Sequence, residues 1–196
     1  MTYRASSDAH YASCALQMKE RWSEIDQDHW LAPIARNLRN LPHSARILDV
    51  GAGTGRLAAH LAARGHRVTA VEPVDWLWQE PCVPRIPDDL PGLARVKGPF
   101  DAILALGVLH HLPPAHQHRG LARMAELIAP GGALIIAARH GPGPRPRWPI
   151  RVRDLNTPAL RSEVVQRRSS IQAGNRSANV KWTWIVFQKR RKGIRL

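Results

Sequence analysis

Apolar residues in the middle of the chain form short continuous runs that alternate with segments of helical spacing. Four runs have the length of a buried strand, namely 46–50, 68–71, 100–106 and 133–138. The segments 57–65 and 116–128 between them carry apolar residues at helical spacing. Continuously apolar strands separated by helices are typical of parallel sheets covered on both faces, so the pattern predicts a doubly wound α/β fold.

The segments before and between these runs are less regular. From Tyr11 to Leu41 apolar residues recur at helical spacing, with interruptions at 26–28 and at Pro33, which predicts two short helices ahead of the first strand, the second ended by Pro42. Four prolines lie between Val74 and Pro99 and leave room there for at most a short helix and a short strand.

The last third of the chain opens with a loop over 141–146, because glycines and prolines alternate there. We expect Thr157–Val165 to form a short helix or to lead into a strand. Val180–Phe187 alternates as a final strand, placed at an antiparallel edge. The run 189–192 is entirely basic and is expected to fray into solvent.

Length and cysteine usage limit the class of protein. A chain of 196 residues suits one domain that folds without disulfides or a structural metal. The two cysteines, Cys14 and Cys82, form no CxxC pair, so no zinc site is indicated, and they fit a reducing cytoplasm. No apolar run reaches the ~20 residues of a membrane helix, and no signal peptide is recognisable. Nothing in the pattern indicates an oligomeric state.

Charge is distributed unevenly along the chain. Residues 1–138 hold 14 Lys and Arg against 13 Asp and Glu, whereas residues 139–196 hold 15 basic residues against two acidic ones. A basic segment of this kind indicates either a footprint for nucleic acid or acidic lipid, or a solvated face without a partner. Both interpretations stay open at this point.

The turn after the first strand carries the clearest chemical signal. Asp49-Val50-Gly51-Ala52-Gly53-Thr54-Gly55 has the spacing GxGxG, and its glycines let the backbone approach a ligand. The third glycine of a dinucleotide fingerprint would fall at Arg56, which disfavours NAD and FAD. Asp49 would repel a pyrophosphate but attract a cationic amino-acid group. These features favour S-adenosylmethionine as the cofactor. Glu72 ends the second strand, where an acid can accept both ribose hydroxyls.

The segment Ile47–Pro73, ILDVGAGTGRLAAHLAARGHRVTAVEP, resembles the opening βαβ unit of class I S-adenosylmethionine-dependent methyltransferases. The segment 100–112 (FDAILALGVLHHL), the approach 129–132 to the fifth strand, and the closing 181–184 extend the resemblance. The resemblance implies a Rossmann-like, mostly parallel sheet with an antiparallel C-terminal edge strand, shortened after the fifth strand. It also implies one domain, with a helical lid over 1–44, in which Tyr11 and Trp22 would cover the cofactor. A cofactor-binding core over 45–140 and a basic C-terminal segment over 141–196 would follow.

The resemblance also implies the site residues. Asp49 and the glycine turn would hold the methionine side, Glu72 the ribose, Asp88 the adenine amino group, and Leu106 would pass under the cofactor. The predicted cofactor contacts together are Asp49, Gly51, Ala52, Gly53, Thr54, Gly55, Glu72, Pro73, Asp88, Asp89, Leu90 and Leu106. No metal ligand set is expected.

His111 follows the fourth strand and is the candidate catalytic residue. Its imidazole could take a proton from the methyl acceptor, although it could equally line the pocket while transfer relies on alignment alone. The expected reaction is methyl transfer to a small molecule. The alternatives are a nucleic-acid methyltransferase and a basic RNA- or polyanion-binding protein on the same fold. The motif Asn/Asp-Pro-Pro-Tyr/Phe/Trp that accompanies base-amine methylation is absent after the fourth strand, which disfavours that chemistry.

Overall fold

The computed structural model describes residues 20, 23–142, 148–151, 155, 160–171 and 176–190. Over these residues it forms one seven-stranded sheet with helices against it. The strands, in chain order, are β1 Arg46–Val50, β2 Arg67–Val71, β3 Arg85–Ile86, β4 Phe100–Leu106, β5 Ile128–His140, β6 Leu160–Ser169 and β7 Lys181–Lys189. The predicted lid residues Tyr11 and Trp22 lie outside the described part of the chain.

The strand order across the sheet is β3-β2-β1-β4-β5-β7-β6. The first five strands in this order are parallel, and β7 runs antiparallel to both β5 and β6. The doubly wound, mostly parallel sheet is therefore confirmed. The antiparallel edge is also confirmed, but two strands form it, and β6 rather than the final strand is outermost. The segment after β5 is expected from the sequence to be shortened, but it still supplies the two strands β6 and β7 to the sheet.

Burial explains why β7 takes the inner position. Its five central residues, 183–187, are all buried, so the strand needs neighbours on both sides and cover on both faces. β1 is likewise buried from Ile47 to Val50 and pairs with β2 and β4. The continuous apolar runs of the sequence are thus the strands at the centre of the sheet.

Four α-helices are described: α1 Gln27–Leu31, α2 Ala35–Arg39, α3 Arg56–Ala63 and α4 Pro114–Leu127. Asp26 caps α1, because its carboxylate accepts the amides of Asp28 and His29. A 3₁₀ turn over Ala32–Ile34 contains Pro33, one of the two interruptions of the periodicity, and separates α1 from α2. The predicted second helix is therefore divided into two. Within the described residues, none of the helices is both long and apolar enough to cross a membrane.

The region between β2 and β4 is mostly irregular. It contains a 3₁₀ turn over Asp75–Leu77 and the two-residue strand β3, which confirms the limit that its prolines set. The Arg123 guanidinium on α4 donates to the carbonyls of Leu93 and Val96 at 3.2 Å each, so a helix side chain secures the loop before β4. Leu93 is fully buried beneath it.

Lys189 corrects the expectation that the basic run begins in solvent. It belongs to β7, and its ammonium lies 2.8 Å from the carbonyl oxygen of Ala125 and 2.6 Å from that of Ile128. These carbonyls end α4, where a cation is favoured by the helix dipole. α4 passes directly into β5 without a glycine cap, and Lys189 supplies the missing donor. Residues 191 and 192 lie outside the described part of the chain.

Candidate cofactor site

A crevice of about 330 Å³ lies at the carboxyl ends of β1, β2 and β4. In open α/β sheets ligands bind at this edge, where the strand order reverses between β1 and β4. Most residues singled out from the sequence line this crevice: Asp49, Gly51, Ala52, Gly53, Thr54, Glu72, Pro73, Asp88, Asp89, Leu90, Leu106 and His111. The fold therefore brings together residues spread over more than 60 positions. Among the described residues, no group of three His, Cys, Asp or Glu side chains is arranged to hold a metal.

The glycine turn is fixed to the end of β2. The amides of Gly51 and Ala52 both donate to the Val71 carbonyl, at 2.8 and 3.0 Å. Gly51 has φ +71°, and a Cβ on it would lie 2.5 Å from Cγ2 of Val108. A side chain there would be strained and would also displace Val108 from the wall of the crevice.

Gly55 is the predicted cofactor residue that does not line the crevice. It precedes α3 with φ +89°, and a Cβ there would lie within 2.8 Å of the Glu80 and Trp78 side chains. Its left-handed conformation lets the chain turn into α3 at a place where the Glu80 and Trp78 side chains leave no room for a Cβ. The glycine at this position thus serves the turn and the packing around it.

Glu72 is buried beside the glycine turn. Its Oε2 accepts the Gly53 amide at 2.9 Å and its Oε1 accepts the Val74 amide at 3.0 Å. A carboxylate has about four acceptor positions, so these two bonds do not exhaust its capacity. They fix the orientation of the carboxylate at the crevice wall and connect the end of β2 to the turn after β1.

Asp49 is a strongly perturbed acid of the crevice. It is 2% exposed, and Oδ2 is buried without a hydrogen-bond partner among the described residues. Burial, and then the negative charge of Glu72, raise the pKa of Asp49 to about 7. A buried acceptor without a donor is costly unless a ligand or water supplies one. The site therefore favours a cationic or hydrogen-bond-donating group beside Asp49.

Asp88 also lines the crevice. Its Oδ1 accepts the Asp89 amide at 2.8 Å and its Oδ2 accepts the Arg95 amide at 2.7 Å. The carboxylate thus organises the turn that follows β3. Adenine recognition by Asp88 stays a prediction, in which these two bonds would set the direction of the carboxylate.

The roof of the crevice comes from the two ends of the chain. Trp30 on α1 and Trp182 on β7 line it and meet edge to face, with ring centroids 4.9 Å apart. Ser170 and Ile171, just after β6, also line it. No local sequence signal marks these four residues as site residues. Trp182 and Trp184 lie on the same face of β7, where Trp184 is fully buried and Trp182 lines the crevice.

Polar contacts hold α1 in this position over the site. Asp28 lies 2.7 Å from Nη2 of Arg64 and 3.2 Å from Nε2 of His60, both at the end of α3. The Arg168 guanidinium on β6 donates to the His29 carbonyl at 3.1 Å. α1 is thus connected both to the helix after the glycine turn and to the antiparallel edge of the sheet.

His111 is half-buried in the crevice wall, just after β4. Its ring centroid lies 4.0 Å from that of the buried His110. Its backbone amide donates to the Val108 carbonyl at 3.0 Å, in a 3₁₀ turn over Leu109–His111. The turn places an imidazole beside Leu106, at the end of the strand expected to pass under the cofactor.

Comparison with known proteins identifies relatives of this arrangement. An uncharacterized methyltransferase of Geobacillus kaustophilus is 29% identical over 46% of this chain and 45% of its own length. A ubiquinone biosynthesis O-methyltransferase of Caulobacter sp. is 33% identical over 47% of this chain and 40% of its own. The chain thus spans less than half the length of these curated relatives.

One similar solved structure is a Burkholderia thailandensis 1,6-didemethyltoxoflavin-N1-methyltransferase with bound 1,6-didemethyltoxoflavin and S-adenosylhomocysteine. It covers 96% of this chain and 89% of its own, with a TM-score of 0.68 and 24% identity. At this identity the likeness shows the fold alone. The model of the methyltransferase-domain family matches residues 21–181, which is most of the chain. The protein therefore belongs to the methyltransferase-domain family.

Proposed function

We propose that the protein transfers a methyl group from S-adenosylmethionine to a small-molecule acceptor. The observation that carries the proposal is the buried Oδ2 of Asp49, which has no hydrogen-bond partner among the described residues and lies at a crevice that the Glu72 carboxylate also lines. This pair of carboxylate acceptors suits a ligand that carries both a cationic amino-acid group and a ribose.

The residues fit the cofactor as follows. Asp49 would accept from the ammonium of S-adenosylmethionine, and the turn 51–54 would hold its methionine part. Glu72 would accept from the ribose hydroxyls. Asp88 and Asp89 would hold the adenine, with Leu90 and Leu106 as apolar surfaces. When bound, the cofactor supplies an electrophilic methyl group on a sulfonium.

The chain's own contribution to the reaction is alignment and exclusion of water. Trp30, Trp182 and Ile171 cover the crevice with apolar surface, so an acceptor beneath them is desolvated. His111 lies within the same crevice and would accept the proton that an acceptor oxygen or nitrogen loses on methylation.

The roof also supports a small acceptor rather than a polymer. Most of its described side chains are apolar or neutral and polar: Ile25, Gln27, Trp30, Ser170, Ile171 and Trp182. Arg56 is the one Lys or Arg in the described lining of the crevice, and a nucleic acid would require several cations to neutralise its phosphates. The volume of about 330 Å³ lies at the lower end of the ~300–1,000 Å³ usual for small ligands. The ubiquinone and toxoflavin relatives are named for small molecules, which agrees with this assignment.

The test is transfer of labelled methyl from S-adenosylmethionine to a panel of apolar, aromatic and heteroaromatic hydroxyl and amine compounds, with an RNA and a DNA substrate alongside. We expect S-adenosylhomocysteine to form only with a member of the small-molecule panel. Glu72→Gln should raise the cofactor KM, since a ribose acceptor loses its charge. Labelling of RNA or DNA alone, or a cofactor KM that Glu72→Gln leaves unchanged, would contradict the proposal.

A further inference from the structure

A second concavity of about 550 Å³ lies at the opposite edge of the sheet, where the parallel strands begin. Its lining includes Arg46, Arg67 and Phe100, which are the first residues of β1, β2 and β4. β1 and β2 are five residues long, which at ~3.3 Å per residue places this concavity roughly 16 Å from the cofactor crevice. The two sites are therefore separate.

The charge of this concavity is one-sided. Four exposed cations line it, Arg46, Arg67, Arg95 and Lys97, and its described lining contains no carboxylate. The cofactor crevice is lined instead by Asp49, Glu72, Asp88 and Asp89. We call the first of these two sites the cationic groove.

His66 also lines the cationic groove, and burial, followed by the charges of His43 and Arg64, lowers its pKa. The nearby Asp101 carboxylate accepts the backbone amide of Arg46 at 2.8 Å and is not part of the groove lining. Four clustered cations without an acid in the lining repel one another, and an anion would relieve that repulsion.

The cationic groove is suited to binding phosphate more than to binding a nucleobase. Guanidinium groups match phosphate oxygens in bidentate geometry, and three of the four cations are arginines. Phe100 is the aromatic residue in the described lining, and the Arg46 guanidinium already covers its ring at 5.5 Å from the centroid. The buried Phe100 ring is therefore not available to stack on a nucleobase, the contact that proteins use to bind single-stranded nucleic acid. The volume suits a small ligand.

We propose that the cationic groove is a binding site for a compact diphosphate, either inorganic or carried by a small organic molecule. The Arg46 and Arg67 side chains bind it from the strand ends, and Arg95 and Lys97 close the opposite side. This site does not depend on the methyl-transfer reaction, because its residues and those of the cofactor crevice do not overlap.

The experiment titrates inorganic pyrophosphate into the full chain at low ionic strength by calorimetry. Cys82 is exposed at the groove and provides a second readout, since its alkylation should slow when the groove is filled. Mass spectrometry of the Cys82 peptide separates it from Cys14. ADP and a single-stranded oligonucleotide are titrated in parallel.

The test variant is Arg95→Gln with Lys97→Gln, whose side chains are exposed. We expect it to weaken pyrophosphate binding about tenfold or more, the loss of charge-assisted phosphate contacts. Arg119→Gln, an exposed arginine on α4 that lines neither cavity, should change binding less than twofold. Arg67→Gln is a second test variant and should act like the first.

The proposal is overturned if pyrophosphate does not bind the parent protein at low ionic strength, or if it binds both groove variants as tightly as the parent. It is also overturned if the oligonucleotide, but not pyrophosphate or ADP, protects Cys82, because the groove is then a nucleic-acid surface. S-adenosylmethionine binding should be equal in all variants, so failure of this site and failure of the proposed enzymatic function are distinguishable.

Discussion

Asp49 provides a quantitative link between the structure and cofactor affinity. Its pKa of about 7 in the protein, against an ordinary value of 3.8, means that the unliganded site is largely protonated below neutral pH. A cationic ligand group beside Asp49 favours the ionised carboxylate and returns its pKa toward the ordinary range. Binding should therefore release a proton.

The size of this pH effect on cofactor affinity follows from the coupling between ligand binding and the ionisation of Asp49. If only the ionised form of Asp49 binds, the apparent Kd rises tenfold for each pH unit well below 7. This makes S-adenosylmethionine binding about 50-fold weaker at pH 5 than at pH 7. The α-amino group of the ligand stays protonated over this range, since its ordinary pKa is about 7.7–8.0. At pH 6 about 0.9 proton should leave per ligand bound.

The assay is calorimetric titration at pH 5, 6 and 7 in pairs of buffers with different ionisation enthalpies, which measures affinity and proton release together. Asp49→Asn should bind more weakly at pH 7 and show a flat pH profile. His111→Gln should retain the slope of the parent. Equal slopes in the parent and in Asp49→Asn, or a slope that disappears only in His111→Gln, would refute the reasoning, because another group would then control binding.

Four further predictions follow from single contacts. The raised pKa of Asp49 means that the native state binds more protons than the unfolded state between about pH 4 and 7. As the pH rises from about 4 to 7, the unfolding free energy of the unliganded protein should therefore fall by up to about 4 kcal/mol in denaturant titrations, and Asp49→Asn should remove this decline. Gly51→Ala should destabilise by about 2–4 kcal/mol and abolish cofactor binding. Gly65→Ala, also at positive φ but in open space, should cost only ~1 kcal/mol and leave binding intact. Comparable thermal shifts for both glycine variants would contradict this. His111→Gln should lower kcat about 100-fold or more with an unchanged cofactor KM, and a change below threefold would leave it only a wall residue. Lys189→Met should destabilise by about 1–3 kcal/mol by urea titration, since the carbonyls ending α4 lose their donor, and an unchanged midpoint would exclude that role.

The central strands and the glycine turn could be predicted from sequence because their signals are local. Asp49 to Gly53 are adjacent in the chain, and continuous apolar runs fix where β1 and β4 begin and end. Glu72 could be placed at the same edge because parallel strands end together. These residues meet in the structure because the glycine turn and Glu72 both follow the carboxyl ends of neighbouring parallel strands.

The roof and the cationic groove could not be predicted in this way. Trp30 and Trp182 are more than 150 residues apart, and their contact depends on β7 lying inside β6 at the antiparallel edge. The charge count of residues 1–138 is nearly balanced, yet the fold directs Arg46, Arg67 and Arg95 to one edge of the sheet. The acids of the cofactor crevice, Asp49, Glu72, Asp88 and Asp89, lie at the other edge. Charge counted along a chain does not show this separation.

The central claim is that the crevice at the carboxyl ends of β1, β2 and β4 holds S-adenosylmethionine. Its most direct test is calorimetric titration of S-adenosylmethionine and S-adenosylhomocysteine at pH 7 into the parent and into Gly53→Arg, which places a long cationic side chain in the crevice wall. The account predicts one ligand per chain in the parent and no measurable heat in the variant. No heat with either ligand in the parent, or equal heat in the variant, would contradict it.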